Sequence, residues 1–338
     1  MEKVTIKKLA EELNLSASTI SRALQDSYQI GTKTKQRVLE RAAELNYVPN
    51  YHASGLRKKV SKTIAVVIPE VADSFFALAI NGIEAAAQEL GFHVLIYLTH
   101  ESFAKEQAIL KEFQNGRVDG VLLSITAETT QYNYIQELIL RGIPLVLFDR
   151  VCEDLATTKI TTNDFESSYL ATKHLADCGC PRIALLSASH SLAISKNRLA
   201  GYKQALTDIG MEFNEDFVLA CSKLDELNYQ LIKELLTRPD RPDGIIATVE
   251  KQATIIYQVC RELNLQIPQH LKVVSFSNLQ TAAFLNPALT TVTQPAFDMG
   301  KAAATSLFKA LKRKNVSLIT ESQVLPSVLH IRDSTCLN

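Results

Sequence analysis

At 338 residues the chain is longer than one domain usually needs, so two or three domains are expected. Apolar residues make up 46% and charged residues 21%, enough for sizeable cores, and wholesale disorder is excluded. Formal net charge is zero but unevenly spread: residues 1–60 carry eleven Lys and Arg against six acids, +5, and the remainder carries −5, so a polyanion partner is expected for the head alone.

Residues 5–24 read as two short helices joined by a tight turn. Ile6, Leu9, Ala10 and Leu13 form one apolar stripe at helical spacing. Asn14-Leu15-Ser16 interrupts it, and Ser16 is suited to cap the helix that follows. That helix keeps Ile20, Ala23 and Leu24 for packing, while Ala17, Ser18, Thr19, Ser21 and Arg22 give it a small, polar opposite face. Such a face fits a DNA major groove, where hydroxyls reach phosphates and base edges and an Arg grips guanine or phosphate. The other reading is an ordinary helical hairpin with a solvated face. A third amphipathic helix is expected over 33–45, capped by Thr32 or Thr34, with Val38, Ala42 and Leu45 inward. Pro49 breaks it. The segment around Gly55 and Leu56 is expected to stay unstructured until it meets a partner.

From Lys62 strands and helices alternate. Strands are expected at 63–68, 93–98, 120–124 and 144–148, with helices at 75–90, 103–113 and 132–140. The cycle restarts around 159–162. Asp164 then caps a helix through Leu175, and strands near 183–187, 217–220, 244–249 and 271–276 alternate with helices at 195–209, 224–236 and 251–263. A strand at 290–295, a helix at 297–312 and two short extended pieces, 319–325 and 327–331, follow and return to the first half. Short continuous apolar strands with helices between them signal parallel sheets covered on both faces. Two similar α/β lobes are expected, with a ligand cleft outside the carboxyl ends of the strands. Its walls would be Val71 to Phe76, Thr99-His100, Ser124, Asp149-Arg150, Ser187 to Ser189, Val249-Glu250 and Ser277-Asn278.

Several chemistries lack their residues. There is no GxGxxG, no GxxxxGK[ST] and no GxSxG. Adjacent Ser189-His190-Ser191 has no indicated acid partner, so no catalytic residue is assigned. The six cysteines lack CxxC spacing, which speaks against zinc or a disulfide framework, and no metal or cofactor is expected. Without an apolar leader or a run of membrane-span length, the expectation is a cytoplasmic protein with no membrane partner.

The chain resembles the lactose/galactose repressor (LacI/GalR) family of bacterial transcription regulators over essentially its full length. The resemblance rests on Thr5-Ile-Lys-Lys-Leu-Ala with Leu15-Ser-Ala-Ser-Thr-Ile-Ser-Arg22, Leu45-Asn-Tyr-Val-Pro-Asn50, Gly142-Ile-Pro-Leu-Val-Leu-Phe-Asp-Arg150, Arg198-Leu-Ala-Gly-Tyr202 and Pro287-Ala-Leu-Thr-Thr-Val-Thr-Gln-Pro295. It implies an all-α helix-turn-helix DNA-binding head over 1–48, a hinge over 49–61, and an α/β core over 62–338. The core would resemble a periplasmic binding protein, its first lobe about 62–161 and 293–325 and its second about 162–292 and 326–338. By position, Ala17, Ser18 and Arg22 would read bases and Thr19 and Ser21 would hold phosphates. Leu56 would wedge into the minor groove, and Thr5, Ser16, Asn50 and Ala53 would complete the DNA-contacting set.

The resemblance places the effector against Phe75, Phe76, Ser124, Asp149, Arg198, Val249 and Ser277. Phe75 and Phe76 would stack on a ring, or else pack the start of their helix. Arg198 would grip hydroxyls or a carboxylate, or else form a surface salt bridge. Val249-Glu250 and Ser277 stand where the family often has Asn-Asp and Asp, and Ser54-Gly55 where Arg and Ser are common. A modified sugar, an oligosaccharide or another metabolite therefore stays open as effector. The implied function is a homodimeric transcriptional regulator, most readily a repressor, on a palindromic operator. The rivals are a solute-binding protein and a sugar- or nucleotide-acting α/β enzyme. No heptad-bearing tail suggests assembly beyond a dimer.

Overall fold

The computed structural model describes residues 4–47, 61–189, 191–312 and 322–336, and the chain forms two compact units, Met1–Ser61 and Lys62–Asn338.

The first unit contains helices α1 (Ile6–Leu13), α2 (Ala17–Leu24) and α3 (Thr32–Glu44). Thr5 caps α1 by accepting the Lys8 N–H, and Asn14 closes that helix in the left-handed region at φ 53°. Ser16 caps α2, its Oγ accepting the Thr19 N–H at 3.1 Å. Leu9, Ala10, Ile20, Ala23, Val38 and Ala42 meet in the small core. Arg41 ties α3 to α1 through Glu12, its Nε donating at 2.7 Å. The expected threonine cap of α3 is corrected: Gly31 takes the cap position with no side-chain bond, and Thr32 already lies inside the helix.

The second unit is built on two six-stranded sheets. The first lobe holds β1 (Thr63–Ile68), β2 (His93–Leu98), β3 (Gly120–Leu123), β4 (Leu145–Phe148) and β5 (Thr158–Thr162), with helices α4 (Ser74–Glu89), α5 (Phe103–Phe113) and α6 (Asn133–Leu140). The second holds β6 (Ile183–Ser187), β7 (Val218–Ala220), β8 (Gly244–Ala247), β9 (Lys272–Phe276) and β10 (Thr290–Thr293), with α7 (Asp164–Asp177), α8 (Ala193–Asp208), α9 (Asp225–Thr237) and α10 (Glu250–Glu262). The chain then returns through α11 (Ala296–Lys312) and ends in β11 (Gln323–Leu325) and β12 (Val328–His330).

The first sheet runs β11-β5-β4-β3-β1-β2, all parallel; the second runs β12-β10-β9-β8-β6-β7, with only β12 antiparallel. Alternate residues of β1 explain the double cover. Ile64, Val66 and Ile68 pack against α4 and α11, while Ala65 and Val67 face Leu110, Phe113 and Ile135 of α5 and α6. In the second lobe α9 and α10 cover one face and α7 and α8 the other.

Three sequence expectations need correction. The strand at 158–162 does not restart the pattern; it is the fifth strand of the first sheet, with Ile160 opposite Phe148. Asp164 is the first residue of α7 rather than its cap, which is Asn163; its carboxylate is drawn away to Arg198, at 2.8 Å. Of the two last extended pieces only β11 returns to the first lobe. β12 joins β10 of the second, with Leu329 opposite Val292. Residues 319–321 lie outside the described residues.

The helices on the sheets come close through glycines. A Cβ on Gly82 of α4 would stand 2.0 Å from the Phe297 carbonyl oxygen, and one on Gly300 of α11 would stand 2.0 Å from that of Ala79. Gly201 of α8 is equally close to the Phe165 carbonyl of α7, at 2.1 Å.

Candidate functional site

Parallel strands point their carboxyl ends the same way, so the loops that leave them converge. In the core they form one cleft between the lobes, lined by residues of both. The first lobe supplies Asp73, Phe75 and Phe76 at the start of α4 and Asp149-Arg150 after β4. The second supplies Arg198 from α8, Thr248 to Glu250 after β8, and Phe276 to Asn278 at the end of β9.

Arg198 is the most constrained of these side chains. It is 4% exposed. Its Nε donates to Asp164 Oδ1 at 2.8 Å and its Nη1 to the Thr248 carbonyl at 2.6 Å. The guanidinium carbon lies 3.8 Å from the Phe276 ring centroid, a stacked cation–π contact. Nη2 is buried without a partner. Two nitrogens hold the side chain while the third is left to donate, as a ligand-binding guanidinium requires.

The carboxylates stand in different states. Asp149 sits in the left-handed region at φ 60°. Burial pushes its carboxyl up to about 7, against the pull of Arg150 and Arg198, with Asp164 and Asp73 adding to the rise. Asp73 is raised by burial and by the charge of Glu250; its Oδ1 accepts the Phe75 N–H at 2.9 Å. Glu250 reaches across the cleft: its Oε1 accepts the Ser74 N–H at 2.8 Å and its Oε2 takes the Ser74 hydroxyl. Ser277 Oγ, from its own lobe, donates to the same Oε2 at 3.1 Å. A carboxylate from the second lobe thus covers the positive N-terminus of α4. Further out, Lys223 Nζ bonds Glu128 at 2.6 Å and Ser191 Oγ bonds the Ala127 carbonyl at 2.8 Å, both between lobes.

Of the expected effector residues, Phe75, Phe76, Asp149, Arg198, Val249 and Ser277 meet in this cleft. Phe76 is 2% exposed and packs in the core beside Phe148, as its packing reading expects, while it also lines the cleft. Ser124 does not line the cleft: it is fully buried behind it, its Oγ accepting the Arg150 N–H at 3.4 Å. Thr99 is likewise buried against the Ile68 carbonyl. Arg198 makes an ion pair, but a buried one, not the surface pair considered for it. The reading missed Gln294, which follows β10 and which the strand-end rule would have found, and Phe276, whose stacking on Arg198 has no local signal.

In the helical head Thr5, Ser16, Ala17, Ser18 and Arg22 are exposed and Thr19 and Ser21 half-buried, all on or beside α2 except Thr5. Ser16 Oγ also contacts Ser18 Oγ at 2.7 Å and Thr19 Oγ1 at 2.8 Å, gathering hydroxyls at the start of α2. The expected DNA-contacting residues Asn50, Ala53 and Leu56 lie outside the described residues.

Comparison with known proteins follows the same division. Residues 5–50 match the profile of bacterial regulatory proteins of the lacI family, and residues 61–327 that of periplasmic binding proteins and the sugar binding domain of the LacI family. The ribose operon repressor of Haemophilus influenzae is 30% identical over 311 residues, 92% of this chain and 93% of that protein. The structure of the transcriptional regulator CelR in complex with cellobiose aligns with a TM-score of 0.73 and 25% identity, covering 98% of this chain and 99% of that one. The lac repressor dimer bound to operator and the anti-inducer ONPF aligns over 99% of this chain and 100% of that one with a TM-score of 0.87, but at 21% identity the likeness is one of fold. A helix-turn-helix head and a two-lobed binding core, each matched to its own half of one family, place the chain in the LacI family of bacterial regulatory proteins.

Proposed function

We propose that the protein is a cytoplasmic, homodimeric repressor that binds a palindromic operator and releases or tightens its hold when a sugar or related metabolite enters the core cleft. The observation that carries the reading is Arg198, held rigid at the cleft floor with one buried donor unfilled, in the same chain as a head whose α2 exposes Ala17, Ser18 and Arg22. In this reading those three residues face bases, while Thr5, Ser16, Thr19 and Ser21 face phosphates. Asn50, Ala53 and Leu56 act at the operator centre. Phe75, Phe76, Asp149, Arg198, Val249 and Ser277 contact the effector, which lies among donors and acceptors contributed by both lobes. A sugar-like effector agrees with the ribose operon and cellobiose named for the relatives. Those relatives are regulators, and no catalytic step is assigned to this chain.

Selection of bound duplexes from a random pool by the purified protein tests the reading. A palindrome should be retained, its affinity falling steeply with salt. Arg22→Ala should weaken binding to that palindrome by about 1–3 kcal/mol, with relaxed preference at one base per half-site. Retention without sequence preference would overturn the proposal.

A further inference from the structure

We propose, building on the effector reading above, that this cleft selects a ligand bearing a protonated amine among hydroxyls, an amino sugar in chemical class, with the amine placed between Asp149 and Asp73. Five carboxylates, Asp73, Glu101, Asp149, Asp164 and Glu250, surround two guanidiniums in and around the cleft. Three of the five are engaged. Asp164 holds Arg198 at 2.8 Å, Glu101 holds Arg150 Nη1 at 2.5 Å, and Glu250 is filled by Ser74 and Ser277. Asp149 remains, together with Asp73, whose Oδ1 holds only the Phe75 N–H. Among the described residues the one cationic side chain within 4 Å of the Asp149 carboxylate is Arg150, whose Nε lies at 3.9 Å, too far for a hydrogen bond. The charges of Asp164 and Asp73 oppose ionisation of Asp149, and that of Glu250 opposes ionisation of Asp73, so positive charge would be favoured beside these two acids.

A second, independent observation points to a donor-bearing ligand. Asn278 lines the cleft and is 8% exposed. Its Nδ2 is spent on the Gln294 carbonyl at 2.6 Å, and its Oδ1 is buried without a donor. The one unfilled buried donor among the cleft's described residues is Arg198 Nη2, which suits a hydroxyl or ring oxygen. An anionic ligand meets the opposite situation. The N-terminus of α4, where a phosphate or carboxylate would find N–H donors, is already covered by Glu250 from the facing lobe and by Asp73 from its own. A sugar phosphate or uronate would have to displace one of them and then lie beside Asp149.

The test is calorimetric titration of the full-length protein at neutral pH and low salt. The probes are D-glucosamine, D-galactosamine and D-mannosamine, their neutral parents, D-glucose 6-phosphate and D-glucuronate. At least one amino sugar should bind about tenfold or more tighter than its parent, with no binding of the two acids. Asp149→Asn should remove that preference, circular dichroism and thermal melting showing that the variant is folded. A neutral parent that matches its amino sugar, binding of either acid, or no binding of any amino sugar overturns the amine assignment. Operator retention by the same preparation keeps the two readings apart: a selected palindrome without amine preference leaves the repressor standing and removes only the amine.

Discussion

Asp149 and Arg198 handle burial of charge in opposite ways. Arg198 is enclosed by an ion pair, a carbonyl and an aromatic face, so its charge is compensated. Asp149 has little compensation, and its carboxyl, ordinarily near 3.8, is pushed up to about 7 by burial. Between those two values the native state keeps a proton that the unfolded chain has released, so stability falls as pH rises through that window and stays low above it. Asp149→Asn removes the titration. In urea unfolding the variant should exceed the wild type above pH 7 by up to roughly 4 kcal/mol, with the gain vanishing towards pH 4; an equal or lower midpoint at high pH would show that pairing, not burial, governs Asp149. The resemblance was enough to place both residues at the cleft. What it could not supply was their surroundings. Asp164 lies 34 residues from Arg198 in sequence, and no periodicity links the two. The extra methylene of Glu250 over an Asp was visible in the sequence, but its reach to Ser74 depends on how far the lobes stand apart.

Helix and strand positions were far more legible, because each depends on local pattern. The expected helix at 103–113 and strands at 63–68 and 93–98 coincide with α5, β1 and β2. The differences arise where a distant partner decides. Lys159 to Thr162 has too little apolar content to announce a core strand, yet β4 and β11 flank it. At α3 a threonine was expected to cap, but the chain turns one residue earlier, at Gly31. The helix pair α4 and α11 carries its own test. Their backbones approach so closely at Gly82 and Gly300 that an added methyl group has no room. Alanine is the better helix former by about 1 kcal/mol, so Gly82→Ala would stabilise a free helix. In this lobe it should instead destabilise by roughly 1–3 kcal/mol or more, as overpacking does, read as a lower urea midpoint. A variant as stable as the wild type would mean that the two helices slide apart at no cost.

At the scale of the whole core, the two lobes are joined both by chain crossovers and by polar contacts across the cleft. Glu250 to Ser74, Lys223 to Glu128 and Ser191 to Ala127 are such contacts. The Glu250 bridge is the innermost and needs no ligand. Glu250→Ala should let the lobes separate more often, and the Ser74 amide, which loses its acceptor, should exchange with solvent faster. Hydrogen-exchange mass spectrometry of peptides spanning residues 72–78 would detect this; unchanged protection there would show that the crossovers alone hold the lobes. Strand alternation in the sequence pointed to two parallel sheets, but the order of strands within each is a long-range property that alternation does not encode.

The last two strands are separated only by Pro326 and Ser327, yet β11 completes the edge of the first sheet and β12 that of the second. Ser334 adds a further tie, its hydroxyl donating to the Val273 carbonyl at 2.6 Å while it accepts the Thr290 N–H at 2.8 Å. During synthesis, therefore, the first lobe cannot finish as an independent unit while the second is still being made, although domains commonly fold in order as they leave the ribosome. The first sheet lacks this edge strand until residue 325 is out of the exit tunnel and the second until residue 330, so both are completed within a few residues of chain.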